Sequence, residues 1–253
     1  MSFLSFTPLQ ARAAIATLGA VALFGHPGSC QAAGGHHAVD DATILDVGQC
    51  QVELWTERQA GDQLQHLGPA CHLFGVELGL HLDRNVIAHR SAPGSAGVQV
   101  KWAHELQPGL SLGALWAADW QHGATRSATQ TLLLPLTWQP HDTLALHLNV
   151  GREFHPHAAG VARHGVALEW QPVARWQLLA ERWHDATPLR QRVGLRLLAS
   201  DPVSVDLRRA TARGGDLPAP SALRVNRAFA RRTPHGLRRQ PTPRPVARRR
   251  PLA

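Results

Sequence analysis

The chain has 253 residues, of which 44% are hydrophobic and 17% charged, and a formal net charge of +8. That charge does not mark a nucleic-acid binder, because residues 213–253 hold eleven arginines against one acid, Asp216, and the preceding chain is close to neutral. Sixteen histidines without a His-Glu-x-x-His or paired-cysteine motif give no metal site, and nothing in the composition calls for a cofactor.

The first segment reads as a secretory signal. Arg12 is the one charge before an apolar run at 13–24, and the small residues Ala32, Ala33 and Gly34 follow. The run is too short to cross a bilayer as a helix, which takes about 20 residues. Residues 1–33 are therefore expected to be removed, taking Cys30 with them. Residues 34–48 show no strand periodicity and read as a periplasmic lead-in.

From residue 49 onward, eleven stretches alternate apolar and polar side chains with period two, the mark of a strand with two different faces. In one, Leu144, Leu146, Leu148 and Val150 point one way, and Ala145, His147, Asn149, Gly151 and Glu153 the other. The strands are expected at 49–58, 63–73, 76–86, 97–106, 110–120, 129–138, 144–154, 163–171, 175–183, 191–199 and 203–209. Pro135 lies inside one of them, removes a ladder donor and predicts a bulge or weak pairing. If the first hairpin turns at Ala60-Gly61, Cys50 faces Cys71 directly, as Leu54 faces Leu67. An exported chain with two opposed cysteines predicts a disulfide.

Alternation alone fits a soluble sandwich as well as a membrane barrel. Three features favour the barrel. Short turns at Phe74-Gly75, Pro108-Gly109, 139–142, 171–173 and 200–202 alternate with longer connections at 87–96, 122–128, 151–162 and 184–189. Trp102, Trp138, Trp170 and Trp176 lie near the short-turn ends, three of them on the apolar face, as in an aromatic girdle. The signal segment supplies export. The expectation is an all-β, antiparallel, up-and-down transmembrane β-barrel at 49–210, with about twelve strands intended, located in the outer membrane and in contact with its lipid.

The last strand is the difficulty. An even number is needed for closure, yet residues 211–253 are rich in Arg and Pro and read as a disordered tail. A poor closing strand near 221–230, a barrel without one, and a frame-shifted or truncated remnant are the three readings; the remnant is the one favoured.

The inward positions form a polar lumen that includes Glu53, Glu77, Asp83, Lys101, Asp119, Asn149, Glu169, Arg175, Glu181, Arg192, Arg196 and Asp206. Acids dominate the first seven strands and arginines the last four, so the two sectors are expected to pair across the lumen, since an unpaired buried charge is costly. A salt-bridged filling and a hydrated channel for polar solutes both fit. His89 and Ser91 offer a His-x-Ser pair in a loop, which is the chemistry of a base beside a nucleophile. No third orienting group or oxyanion donor accompanies them.

Two stretches, His36-His37-Ala38-Val39-Asp40-Asp41 and Asp46-Val47-Gly48-Gln49-Cys50-Gln51-Val52-Glu53, together with Val76-Glu77-Leu78-Gly79-Leu80, 96–102 and 144–151, resemble a proteobacterial outer-membrane family named for a meta-pathway of phenol degradation. The resemblance covers about residues 40–209. It implies a transporter-like barrel for small, sometimes aromatic, compounds and carries no catalytic residues; its departure is the missing closing strand. The leading expectation is a non-enzymatic outer-membrane barrel that passes or binds small hydrophobic or polar solutes. A lipid hydrolase using His89 and Ser91 and a soluble periplasmic ligand-binding β-protein are the alternatives.

Overall fold

Period-two alternation over a whole chain leaves backbone N–H and C=O groups to be satisfied between strands, and in a membrane only a sheet that meets itself satisfies them all. The structure, a computed structural model, describes residues 38–87, 90–121, 128–185, 189–200, 203–212 and 220–230. These residues form twelve strands: β1 (Gln49–Gln59), β2 (Asp62–Leu73), β3 (Val76–Ile87), β4 (Arg90–Gln107), β5 (Leu110–Gln121), β6 (Thr129–His141), β7 (Leu144–His155), β8 (Ala158–Val173), β9 (Trp176–His184), β10 (Arg190–Ser200), β11 (Val203–Ala212) and β12 (Ser221–Ala230). Each pairs antiparallel with its sequence neighbours, and β12 returns to β1, closing the barrel.

Closure corrects the reading of 211–253 as a tail at 211–212, which end β11, and at 221–230, which form the closing strand. Within β12, Leu223, Val225 and Phe229 take outward positions, whereas Ala222, Arg224, Asn226 and Ala228 are buried inward. Phe229 stands opposite Cys50 at the end of the strand. Residues 231–253 lie outside the described residues, as does 1–33, where a signal segment is expected.

The first hairpin has the register the cysteines demand. Cys50 faces Cys71 and Leu54 faces Leu67, and a disulfide joins the two cysteines, with Cα atoms 4.0 Å apart. Peptide mapping without reductant should recover Cys50 linked to Cys71, and two alkylatable thiols in the folded barrel would contradict the register. Ala60-Gly61 and Phe74-Gly75 both take positive φ, the two-residue geometry that matches strand twist.

Two connections expected to be long are short. β3 and β4 stay paired to Ile87 and Arg90 past a register shift after Asp83, and β7 and β8 to His155 and Ala158 past one after Glu153, because backbone groups go on pairing through polar residues. Pro135 interrupts pairing without a bulge: β5 and β6 pair at Leu112–Leu136 and again at Leu115–Leu133, in unchanged register. Pro69 in β2 acts in the same way, since the ladder to β3 skips from Leu67–Leu82 to Ala70–Gly79.

The two faces separate as the alternation demands. Leu82, Leu134, Leu148, Val150, Val193 and Leu207 are exposed on the outer wall. Trp102, Trp138, Trp170 and Trp176 are exposed around the end where β1 begins and β12 ends. By register, every carboxylate borne by a described strand falls on the inward side. Replacing Leu148, 49% exposed and mid-strand, with Arg should cost about 2–4 kcal/mol of stability in lipid vesicles. Denaturant titration that finds no loss would reverse the face assignment.

Candidate functional site

The lumen is not an open bore, because the residues before β1 enter it. Val39 is fully buried against Ala167, Trp183 and Ala210, and its N–H donates to Glu181 Oε2 at 3.2 Å. Ala42 N–H donates to Thr137 Oγ1 at 2.7 Å; Leu45 N–H donates to Glu77 Oε2 at 3.0 Å. With its amide turned to suit both groups, Asn149 donates to the Asp40 carbonyl (2.8 Å) and accepts from the Asp40 N–H (2.6 Å). Lys101 Nζ lies 2.8 Å from Asp41 and 3.5 Å from Asp40. Residues 38–45 thus form a plug whose backbone groups are met by side chains of the wall.

This corrects the placement of 34–48 as a periplasmic lead-in over residues 38–45, which lie inside the lumen. The physical reason is that a segment without periodicity can be buried when side chains replace a sheet as its hydrogen-bond partner. Gly165 makes room for it: a Cβ there would meet Val39 Cγ2 at 2.7 Å.

A second cluster holds the arginines. Arg196 donates twice to Asp206 (2.7 and 3.0 Å) and once to Gln177 (2.9 Å), and lies 3.5 Å from Glu169. Arg208 donates to the same Asp206 at 2.7 Å. Arg192 connects Glu181 and Glu57, 3.1 Å each, above the Trp183 ring at 4.8 Å from its centre. Arg224 pairs with Glu53. Acids and arginines therefore do not form two sectors facing across the lumen. Arg196 and Arg208 are met on their own side, and the pairs to Glu57 and Glu53 join strands that closure brings near one another.

The third cluster lies on β1–β5. The His81 ring crosses Gly97 to bond Asp119; a Cβ at Gly97 would sit 2.2 Å from that ring. His66 Nδ1 is 2.6 Å from Asp83, which also accepts from Ser95 Oγ at 2.9 Å. Trp55 stacks on His66 with ring centres 4.6 Å apart. Between this wall and the plug lies a cavity of about 220 Å³, lined by Trp55, His66, His81, Asp41, Lys101 and Arg224 among others.

Of the expected lumen residues, Glu53, Glu77, Asp83, Lys101, Asp119, Asn149, Glu169, Glu181, Arg192, Arg196 and Asp206 belong to these three clusters. Arg175 does not: it has the right parity but sits exposed in the turn between β8 and β9. Asp40, Asp41, Arg224 and Asn226 are lumen residues that periodicity missed. The paired aspartates are a visible signal, and Arg224 and Asn226 alternate properly with Leu223 and Val225. His89 lies outside the described residues, and Ser91 belongs to β4, opposite Val86, rather than to a loop. Among the described residues no group of three His, Cys, Asp or Glu side chains is arranged to hold a metal ion.

The chain belongs to the family described as "Uncharacterised conserved protein UCP029691", whose model matches residues 20–215. No curated protein matches it. Among solved structures it is similar to the KdgM porin (TM-score 0.60, 9% identity, covering 71% of this chain and 99% of that one), which has also been solved in complex with disordered oligogalacturonate. The NanC porin (TM-score 0.54, 8% identity, 72% and 98% covered) and the COG4313 outer membrane channel from Pseudomonas putida F1 (TM-score 0.53, 12% identity, 75% and 98% covered) are also similar. At these identities the likeness shows the shared barrel fold.

Proposed function

We propose that this family member is an outer-membrane barrel, exported with a cleaved leader at 1–33, that binds or passes small solutes and performs no catalysis. The observation that carries the reading is the separation of faces: an apolar wall with a tryptophan girdle outside, and a lumen of paired charges inside. The resemblance to the family named for phenol degradation adds that aromatic compounds belong among the solutes. The cavity beside Trp55, His66 and His81 suits a small planar molecule in size and character. Polyanions of the oligogalacturonate kind are disfavoured, because inward carboxylates outnumber inward Lys and Arg side chains among the described residues.

Planar-bilayer recording tests this. The full chain should give a small conductance that favours cations, and removal of residues 38–45 should raise it severalfold. Absence of conductance in both forms would overturn the channel reading. Release of fatty acid from phospholipid vesicles would instead support hydrolysis by His89 and Ser91.

A further inference from the structure

The outer wall carries a charge pattern that the lumen does not explain. No described strand places a carboxylate outward, yet Arg58, Arg84, Arg152, Arg182 and Arg209 are exposed outward, all toward the end away from the tryptophan girdle. Arginines on a wall that otherwise bears Leu, Val and Ala are costly at the bilayer centre and tolerable at the interface, where a phosphate meets them. Two of the five border a groove of about 470 Å³ on the outside of β8–β11. Register builds it. Ala180 stands between Leu168 and Val193 and leaves a depression in the apolar band. One row higher Arg182 pairs with Gln191, whereas Arg209 stands in the row of Ala180 itself, on the far side of Val193.

We propose that this groove binds one acylated lipid with a phosphorylated headgroup from the surrounding leaflet. The phosphate lies between Arg182 and Arg209, and an acyl chain lies over Ala180. The proposal rests on the outer-membrane reading above. Charge complementarity selects the occupant. Guanidinium groups bind phosphate oxygens in bidentate fashion, no described strand turns a competing carboxylate outward, and Val166, Leu168, Ala180 and Val193 give the groove an apolar floor. A peptide partner would find no unpaired strand edge here, because the barrel is closed.

The test uses the full-length barrel in neutral-detergent micelles, with native mass spectrometry to count bound lipid. Dioleoyl phosphatidic acid should bind about tenfold more tightly than dioleoylglycerol. The double variant R182Q/R209Q should lose that preference, and R227Q, an outward arginine at the opposite end, should keep it. Equal retention of phosphatidic acid by R182Q/R209Q would overturn the proposal, and so would its displacement by inorganic phosphate or a protein in place of lipid. All variants should keep the heat-modifiable gel shift of a folded barrel. If the unaltered chain lacks that shift, the outer-membrane reading fails, independently of the groove.

Discussion

A chain ended after Ala212 should form no heat-modifiable barrel, whereas one ended after His235 should form it at the yield of the full chain. Without β12 the backbone of β1 loses its partners from Gln49 to Arg58, and β11 loses its own from Val203 to Arg209. Each unpaired group facing hydrocarbon costs several kcal/mol, so two open edges exceed the whole stability of an ordinary domain, about 5–15 kcal/mol. Residues 231–253 hold eight arginines and five prolines, and each proline lacks the N–H that a ladder needs. A gel shift from the shortest chain would refute closure by β12. A fall in yield on removing only 236–253 would make the tail part of assembly.

Lys101→Met should release the plug. Lys101 is 4% exposed and is the cation that Asp41 and Asp40 share. Removing one partner of a buried ion pair costs about 3–5 kcal/mol, since the carboxylates remain without compensation. That amounts to at least about a hundredfold shift toward the released state. The measurement is the reaction of an Ala42→Cys side chain, buried in the native plug, with a membrane-impermeant maleimide. Labelling should be slow in the otherwise native chain and about a hundredfold faster with Lys101→Met. Adding Asp41→Leu removes one of the two stranded charges and should restore part of the protection. Equal labelling rates would mean that the hydrogen bonds its backbone N–H groups donate to Glu181, Thr137 and Glu77 hold the segment without the ion pair.

The wall was legible because its signal is periodic and local. Leu144, Leu146 and Leu148 alternate with Ala145, His147 and Asn149, and a single turn at Ala60-Gly61 fixes which cysteines meet. The plug was not legible, because its partners are remote: Val39 and Glu181 are 142 residues apart and Ala42 and Thr137 are 95. No window along the chain contains both. β12 was hidden differently. Its alternation from Ala222 to Phe229 is regular, but it is ten residues long inside a stretch whose arginine and proline content dominates any composition estimate. Arg175 shows the opposite failure, since parity places a residue on a face only while the strand lasts. The pairing of the lumen charges was not legible either, because parity says which way a side chain points and not which neighbour it reaches.

The ladders on the two sides of β12 are unequal. It meets β1 at ten positions and β11 at seven, and β1 is in turn bolted to β2 by the disulfide at Cys50. If the cylinder breathes sideways, the cleft opens between β11 and β12, one line away from the junction of first and last strands. β12 then travels with β1 and β2 as a three-stranded leaf, and slow amide exchange would separate it from the arginine-bearing strands that precede it in the chain.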